Sequence, residues 1–256
     1  MSSCLNYTFL GQVCFLFSYE GLRWIIDPYF TSFVEEQYGE KFVRTFIFDE
    51  KKIDVSDLEY CLITHAHEDH CDPKSLAILL EQNPNMKIIC DWKSAEIIGQ
   101  SFPGLTPIVP KIGDKICLSE NVSILTIPSA HTELNIEDGL SEFNGYIMQV
   151  GTNRLYHPGD TIPNREIESF LTSDIEIGFM PVNERNFFRE ELGIIGNMTL
   201  REAFQWSQEL GIKTMIPTHW DMFALNGTTP EEIVLIKKEY HQVELKLPIL
   251  YKKEEL

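Results

Sequence analysis

The chain has 256 residues, of which 43% are hydrophobic and 11% aromatic, a composition typical of a globular protein with a well-buried core. Lysine and arginine number 21 against 39 aspartates and glutamates, so the formal charge of −18 disfavours nucleic acid and anionic membranes as partners. No apolar run is long enough to span a bilayer, and six scattered cysteines fit a reducing compartment, so we expect a cytoplasmic protein.

The first half of the chain alternates short apolar runs with helical patterns. Strands are predicted at 7–10, 13–19, 23–27, 60–64, 87–90, 105–109, 115–118 and 122–127, and a helix at 92–100. Asp72-Pro73 predicts an N-capped helix that runs to about Gln82. Residues 29–52 mix aromatic and charged side chains without a clean period, which is typical of a lid or insertion over a site.

The second half continues the alternation. Strands are predicted at 143–150, 154–157, 174–181, 213–217 and 243–247, and a helix at 164–171. Capping boxes at Thr199–Glu202 and Thr229–Glu232 open two further helices. No linker divides the chain, so we predict one domain over residues 1–256. Its pattern favours two sheets packed face to face with helices outside, a four-layer αββα sandwich.

Candidate metal ligands follow four of the predicted strands. They are His65, His67, Asp69 and His70 in one turn, then His131, Asp160 and His219. Side chains at i and i+2 of an extended segment point the same way, so His65 and His67 can bind one ion while Asp69 and His70 turn toward a second. We expect His131 to complete the first site, His219 the second, and Asp160 to bridge them. One or two divalent ions are expected, manganese or zinc, with iron as a further option.

This arrangement resembles the metallo-β-lactamase superfamily across the whole chain. The His65–His70 turn after an apolar strand, the downstream His131, the Gly159-Asp160-Thr161 element and the strand-end His219 carry the resemblance. It implies an αββα sandwich with a dinuclear site at the edge of the β-layers. The redox di-iron members have glutamate where this chain has His67, so we favour hydrolysis over electron transfer.

Several stretches are similar to the L-ascorbate-6-phosphate lactonase branch of that superfamily: WIIDPYF at 24–30, LYHPGDT at 155–161, GFMPVNERN at 178–186 and GNMTLREAFQWSQELGIKTMIPTHWDMF at 196–223. The resemblance implies an enzyme that opens a phosphorylated sugar lactone, an anionic small molecule, with a divalent metal, often manganese. It also implies a homo-oligomer.

The expected mechanism uses a water activated by the metals. Asp69 is the candidate to orient that water and carry its proton. His157 is a candidate proton carrier or substrate contact, with a structural histidine as the alternative. Asp27 is a candidate to accept a hydrogen bond from a ligand imidazole, with a turn-forming Asp-Pro as the alternative. Asp221, next to the last ligand, is expected to support the site from behind.

The substrate contacts are predicted from the loop after the 174–181 strand. Arg185 and Arg189 suit a phosphate, and surface pairing with neighbouring glutamates is the alternative. Asn183, Asn197 and Trp220 are further candidates, although core packing explains Trp220 equally well.

Two other functions stay open. One is a phosphodiesterase on a small or lipid substrate, because the same kind of dinuclear site serves phosphoryl transfer. The other is a metal-stabilised sensor or scaffold without catalysis, which would lose stability on metal removal and turn over no ester, lactone or diester.

Overall fold

A computed structural model describes residues 4–171 and 174–256. The strands are β1 (Asn6–Gly11), β2 (Cys14–Tyr19), β3 (Leu22–Ile26), β4 (Tyr60–Leu62), β5 (Lys87–Ile89), β6 (Lys115–Cys117), β7 (Val122–Pro128), β8 (Ile136–Glu137), β9 (Leu140–Ser141), β10 (Asn144–Val150), β11 (Asn153–His157), β12 (Ile177–Pro181), β13 (Thr214–Thr218), β14 (Glu244–Leu245) and β15 (Lys253–Glu255). The helices are α1 (Phe33–Tyr38), α2 (Pro73–Gln82), α3 (Trp92–Ser101), α4 (Arg165–Glu168), α5 (Phe187–Glu191), α6 (Leu200–Glu209) and α7 (Pro230–Lys237), with 3₁₀ turns at Glu40–Phe42, Glu50–Lys52 and Ala224–Asn226.

Two large sheets form the centre of the fold. The first has the order β15-β1-β2-β3-β4-β5 and is antiparallel as far as β3 and parallel from β3 to β5. The second has the order β14-β13-β12-β11-β10-β7-β6 and is antiparallel from β6 to β11 and parallel from β11 to β14. Strands β8 and β9 form a separate small hairpin.

The strand sequences explain the layers. In β2, Phe15 and Phe17 join the core between the two sheets, whereas Cys14 and Leu16 join the core under α2 and α3. Alternate residues of a strand point to opposite faces, so a strand covered on both faces is apolar throughout. A third core packs α6 and α7 on the second sheet. The predicted four-layer αββα sandwich is therefore confirmed.

The two sheets meet at the edge where β4, β7, β11 and β13 end. His65 forms an isolated bridge with Phe143, and the Asn144 amide donates to Thr64 O over 2.8 Å. The Tyr146 hydroxyl donates to Ile63 O over 2.7 Å. The residues that follow these strand ends are thereby brought to one place.

Three predicted elements differ from the structure. The 105–109 strand is reduced to a single bridge between Ile108 and Ile89, because the prolines at 103, 107 and 110 lack N–H donors for a ladder. Of the helix predicted at 164–171, only α4 is an α-helix in the structure, and the residues after it make tighter i→i+3 hydrogen bonds. The predicted last strand is short β14, and β15 follows it at the edge of the first sheet.

Among the described helices, none combines the length and apolar character needed to cross a membrane.

Candidate metal centre

The turn between β4 and α2 holds four polar side chains in a fixed geometry. The amides of His70 and Cys71 both donate to the carbonyl of His67, which closes the turn. Asp72 then caps α2 by accepting from the amides of Lys74 and Ser75 at 2.9 and 3.1 Å. Cys71 belongs to neither group of candidate ligands and packs in the core under α2 and α3, where burial raises the pKa of its thiol to about 12.

The seven predicted ligands lie together in two groups, His65, His67, His131 and Asp160 in one, and Asp69, His70 and His219 in the other. Within each group the candidate donor atoms all lie within 4.8 Å of one another. Asp160 faces both groups, because its Oδ2 is 3.3 Å from His131 Nε2 and its Oδ1 is 3.4 Å from His70 Nε2. Its position depends on Gly159, whose φ of +65° and contact with Thr64 leave no room for a side chain.

The donor set fits divalent cations. It consists of imidazole nitrogens and carboxylate oxygens, and His70 Nε2 and Asp160 Oδ1 are buried without a hydrogen bond to any described residue. Buried polar atoms without a partner are costly in a protein interior unless a ligand or ion binds them.

Burial lowers the pKa of His65 well below its usual value, so this imidazole is neutral, the form that binds metals. Burial acts in the same direction on His70 and His219, but Asp160 and Asp69 outweigh it. They raise the pKa of His70 well above its usual value and that of His219 to about 9. In turn, the pKa values of both carboxyls are lowered by these imidazoles against the effect of burial. Ion binding at the second group should therefore release protons.

Asp27 supports the second group from below. It is fully buried, its Oδ1 accepts from the Thr64 amide at 2.7 Å, and its Oδ2 accepts from the Thr64 hydroxyl at 2.6 Å. The same Oδ2 lies 2.9 Å from His70 Nδ1. A carboxylate only accepts, so it fixes the proton on Nδ1 and leaves Nε2 free to bind an ion.

A cavity of about 210 Å³ lies above the two groups. Its floor is formed by His67, Asp69, His131, Asp160 and His219. Its walls are formed by Val34, Tyr38, Lys41, Phe42, Glu68, Gly193, Ile194, Ile195, Phe223 and Asn226. The segment 29–52 thus supplies one wall, which agrees with its expected place over a site. Lys41 links that wall to the opposite one by donating to Leu192 O over 2.6 Å.

Sequence comparison assigns the family. Residues 23–220 match the sequence model of a family described as the beta-lactamase superfamily domain. The chain belongs to this superfamily.

Individual relatives of this superfamily member are distant. A protein of Pyrococcus furiosus, named a UPF0173 metal-dependent hydrolase, is 25% identical over 95% of this chain and 97% of its own length. Igni18, a metallo hydrolase from Ignicoccus hospitalis, has a TM-score of 0.73 at 18% identity, covering 99% of this chain and 98% of its own. A possible metal-dependent hydrolase from Veillonella parvula has a TM-score of 0.75 at 15% identity, covering 98% and 99%. The two structures show the shared fold.

The two arginines predicted to bind phosphate lie outside the cavity lining. Arg185 donates to Asn197 O and Glu202 Oε1, each over 2.7 Å. Arg189 donates to the carbonyls of Asn183, Glu184 and Gly227. These hydrogen bonds of the two guanidinium groups fix the loop and favour a structural role over a phosphate site. The cationic side chain that lines the cavity is Lys41. The sequence of residues 29–52 mixes charged and aromatic side chains, and nothing in it marks Lys41 as a substrate contact.

Asn183 and Asn197 act behind the cavity and not in it. Asn197 Nδ2 donates to Asn183 Oδ1 over 2.8 Å, and Asn183 Nδ2 donates to Asn226 Oδ1 over 3.1 Å. Because its oxygen is engaged, the amide nitrogen of Asn226 is the group left for the cavity it lines. Trp220 packs on the third core, the alternative that its sequence allowed.

The contacts of His157 favour a structural histidine over a proton carrier. It is buried, its Nε2 lies 3.1 Å from Val13 O, and its Nδ1 accepts from the Gly159 amide at 3.2 Å. Both ring nitrogens are used inside the protein, and burial lowers its pKa.

Asp221 lies behind the site, and Glu68 lies at the cavity. The carboxylate of Asp221 accepts from the backbone amide of Gln12 at 3.0 Å. The side chain of Gln12 in turn contacts Asp69 and His219, so Asp221 supports the ligands through Gln12. Glu68 lines the cavity and accepts from the Tyr38 hydroxyl at 2.7 Å.

Proposed function

We propose that this member of the beta-lactamase superfamily is a metal-dependent hydrolase of carboxylic ester bonds, lactones included. The observation that carries the proposal is the position of the two ligand groups: Asp160 of the first group faces the second, and both groups contribute to the lining of a cavity large enough for a small molecule. His65, His67, His131 and Asp160 would hold one ion, and Asp69, His70 and His219 the other. When bound, the ions supply the Lewis acidity that activates water at neutral pH and polarises a carbonyl.

Asp69 is the proposed proton acceptor. It lines the cavity, and its side chain is 15% exposed, whereas that of Asp160 is only 3% exposed. Its Oδ2 faces His219 Nε2 at 3.3 Å. A carboxylate has two oxygens, so Asp69 can bind through one and orient the attacking water with the other.

The walls of the cavity select the substrate. Val34, Phe42, Ile194, Ile195 and Phe223 offer apolar contact, whereas Lys41 and Asn226 offer a cation and an amide donor. These walls favour a small ester or lactone with an apolar part and one anionic or carbonyl group. A phosphorylated sugar lactone stays a candidate only through Lys41, because the arginines expected to bind its phosphate are engaged elsewhere.

The test is a panel assay on protein stripped with chelator and reloaded with manganese or zinc. Acid release would be followed on aliphatic lactones, aryl esters and L-ascorbate 6-phosphate, and nitrophenol release on a chromogenic phosphodiester. We expect metal-restored turnover on esters or lactones. Turnover on the diester alone would favour the phosphodiesterase alternative. No turnover on any member by protein shown to bind the metals would refute the hydrolase proposal and favour a sensor or scaffold.

Two further proposals concern the whole molecule. We infer a homo-oligomer and a cytoplasmic location from the sequence, and light scattering and cell fractionation would test them.

A further inference from the structure

Gln12 contacts two side chains of the second ligand group. It lies in the turn between β1 and β2, is fully buried, and has a φ of 59°. Its Nε2 donates to Asp69 Oδ2 over 2.7 Å and lies 3.1 Å from both ring nitrogens of His219. Among the described residues, the side-chain contacts within the first group are those of His65 with His67 and of His131 with Asp160, and neither includes Gln12. The amide of Gln12 therefore contacts the second group and not the first.

The backbone of Gln12 is tied to the same place. Its carbonyl accepts from the His219 amide at 2.7 Å, and its own amide donates to Asp221 Oδ1 over 3.0 Å. His219 also has a left-handed backbone, with a φ of 60°. A positive φ is unfavourable for both residues, and such conformations persist where the surroundings hold them, often at functional sites.

The amide carries an unpaired oxygen. Gln12 Oε1 is buried and makes no hydrogen bond within residues 4–171 and 174–256. A buried amide that only stabilised the fold would be expected to pair both of its polar atoms, because an unpaired one is costly. Gln12 thus places an unpaired polar atom, at a cost to the fold, next to two proposed metal ligands.

We propose that Gln12 is a positioning residue for the ion bound by Asp69, His70 and His219. Its N–H holds Asp69 Oδ2 in one orientation through one lone pair and leaves the other lone pair for the ion. Its carbonyl fixes the backbone from which His219 projects. The inference rests on the proposed metal centre, and it makes the two ion sites unequal, since only the second depends on this side chain.

The test compares ion binding by the wild type and two variants. Gln12→Met keeps the length of the side chain and removes the donor. Gln12→Asn keeps the amide but is too short to reach Asp69, and asparagine tolerates a positive φ. Gln149→Met is the matched control, because the Gln149 amide donates to the carbonyls of Gly151 and Asn153, at the hairpin between β10 and β11. Metal-stripped proteins would be titrated with zinc by calorimetry, with circular dichroism to confirm the fold.

We expect the wild type and the Gln149→Met protein to bind two ions. In both Gln12 variants one ion should bind about 10- to 100-fold more weakly and the other with unchanged affinity, as for other groups that orient metal ligands. A purely structural role would lower the melting temperature of the metal-free variants and leave both affinities unchanged, and this result would overturn the inference. A wild type that binds only one ion would overturn it as well. A wild type that binds none would instead refute the metal centre of the proposed function.

Discussion

The support of His70 by Asp27 gives a quantitative prediction for Asp27→Asn. Asp27 offers two acceptor oxygens to three donors: the amide and the hydroxyl of Thr64, and the Nδ1 of His70 at 2.9 Å. Asparagine offers one oxygen and one NH2 group. If the NH2 group replaces Oδ1, it opposes the Thr64 amide; if it replaces Oδ2, it opposes the N–H of His70. In the first orientation His70 Nδ1 faces a neutral amide oxygen in place of a carboxylate, and in the second it loses its acceptor, so in both the charge-assisted hydrogen bond to His70 is lost.

A hydrogen bond to a charged group contributes about 1.5–3 kcal/mol, and about 1.4 kcal/mol corresponds to a factor of ten in affinity. Asp27→Asn should therefore weaken the ion bound by the second group ~10- to 100-fold, the range observed when partners of metal-binding histidines are removed. The assay is competition for zinc against a chromogenic chelator at pH 7.5. Asp91→Asn is the control, since Asp91 is also buried but accepts from the amides of Lys93 and Ser94 at the start of α3. Unchanged zinc affinity in a folded Asp27→Asn protein would refute the reasoning.

Four further results are expected. Asp69→Asn should lower turnover at saturating metal by about 10²- to 10⁴-fold with little change in the metal-free melting temperature; unchanged turnover would exclude Asp69 as proton acceptor. When a chelator removes a metal ion that was present at 100 times its Kd, the free energy of unfolding should fall by about 2.7 kcal/mol, seen as a lower melting temperature. Burial raises the pKa of Asp91 from 3.8 to about 7, so the folded protein holds this proton more tightly than the unfolded chain. The free energy of unfolding should therefore fall as pH rises from 3.8 to about 7, by at most ~1.4 kcal/mol per pH unit. Urea titrations of Asp91→Asn should lack this slope. His157→Ala should lower stability without altering the shape of the pH–rate profile, and an altered profile would restore its role as a proton carrier.

The sequence predicted the layers and the ligand positions because both depend on short-range patterns. The apolar run at 13–19 predicts the strand that the structure shows as β2, and the capping boxes at Thr199 and Thr229 mark the starts of α6 and α7. The spacing of His65, His67 and His70 within one turn depends only on local geometry.

The sequence failed where one residue type has two equally good uses. Arg185 and Arg189 have the chemistry of a phosphate site, but the same guanidinium groups bind backbone carbonyls of their own loop. His157, next to the Pro158-Gly159-Asp160 element, has the chemistry of a proton carrier and of a structural histidine, and both of its ring nitrogens contact the protein interior. Gln12 carries no recognisable motif and gave no signal of its own.

By itself, the sequence determined which side chains can bind metal and that they follow strand ends, because strand periodicity, helix capping and ligand chemistry are properties of neighbouring residues. Only the tertiary structure decided what surrounds them. The cavity walls come from segments 34–42, 193–195 and 223–226, and the contact between Gln12 and Asp69 spans 57 positions. Such contacts are set by how the two sheets pack against each other and by which loops cover their common edge, and this packing is a property of the whole chain.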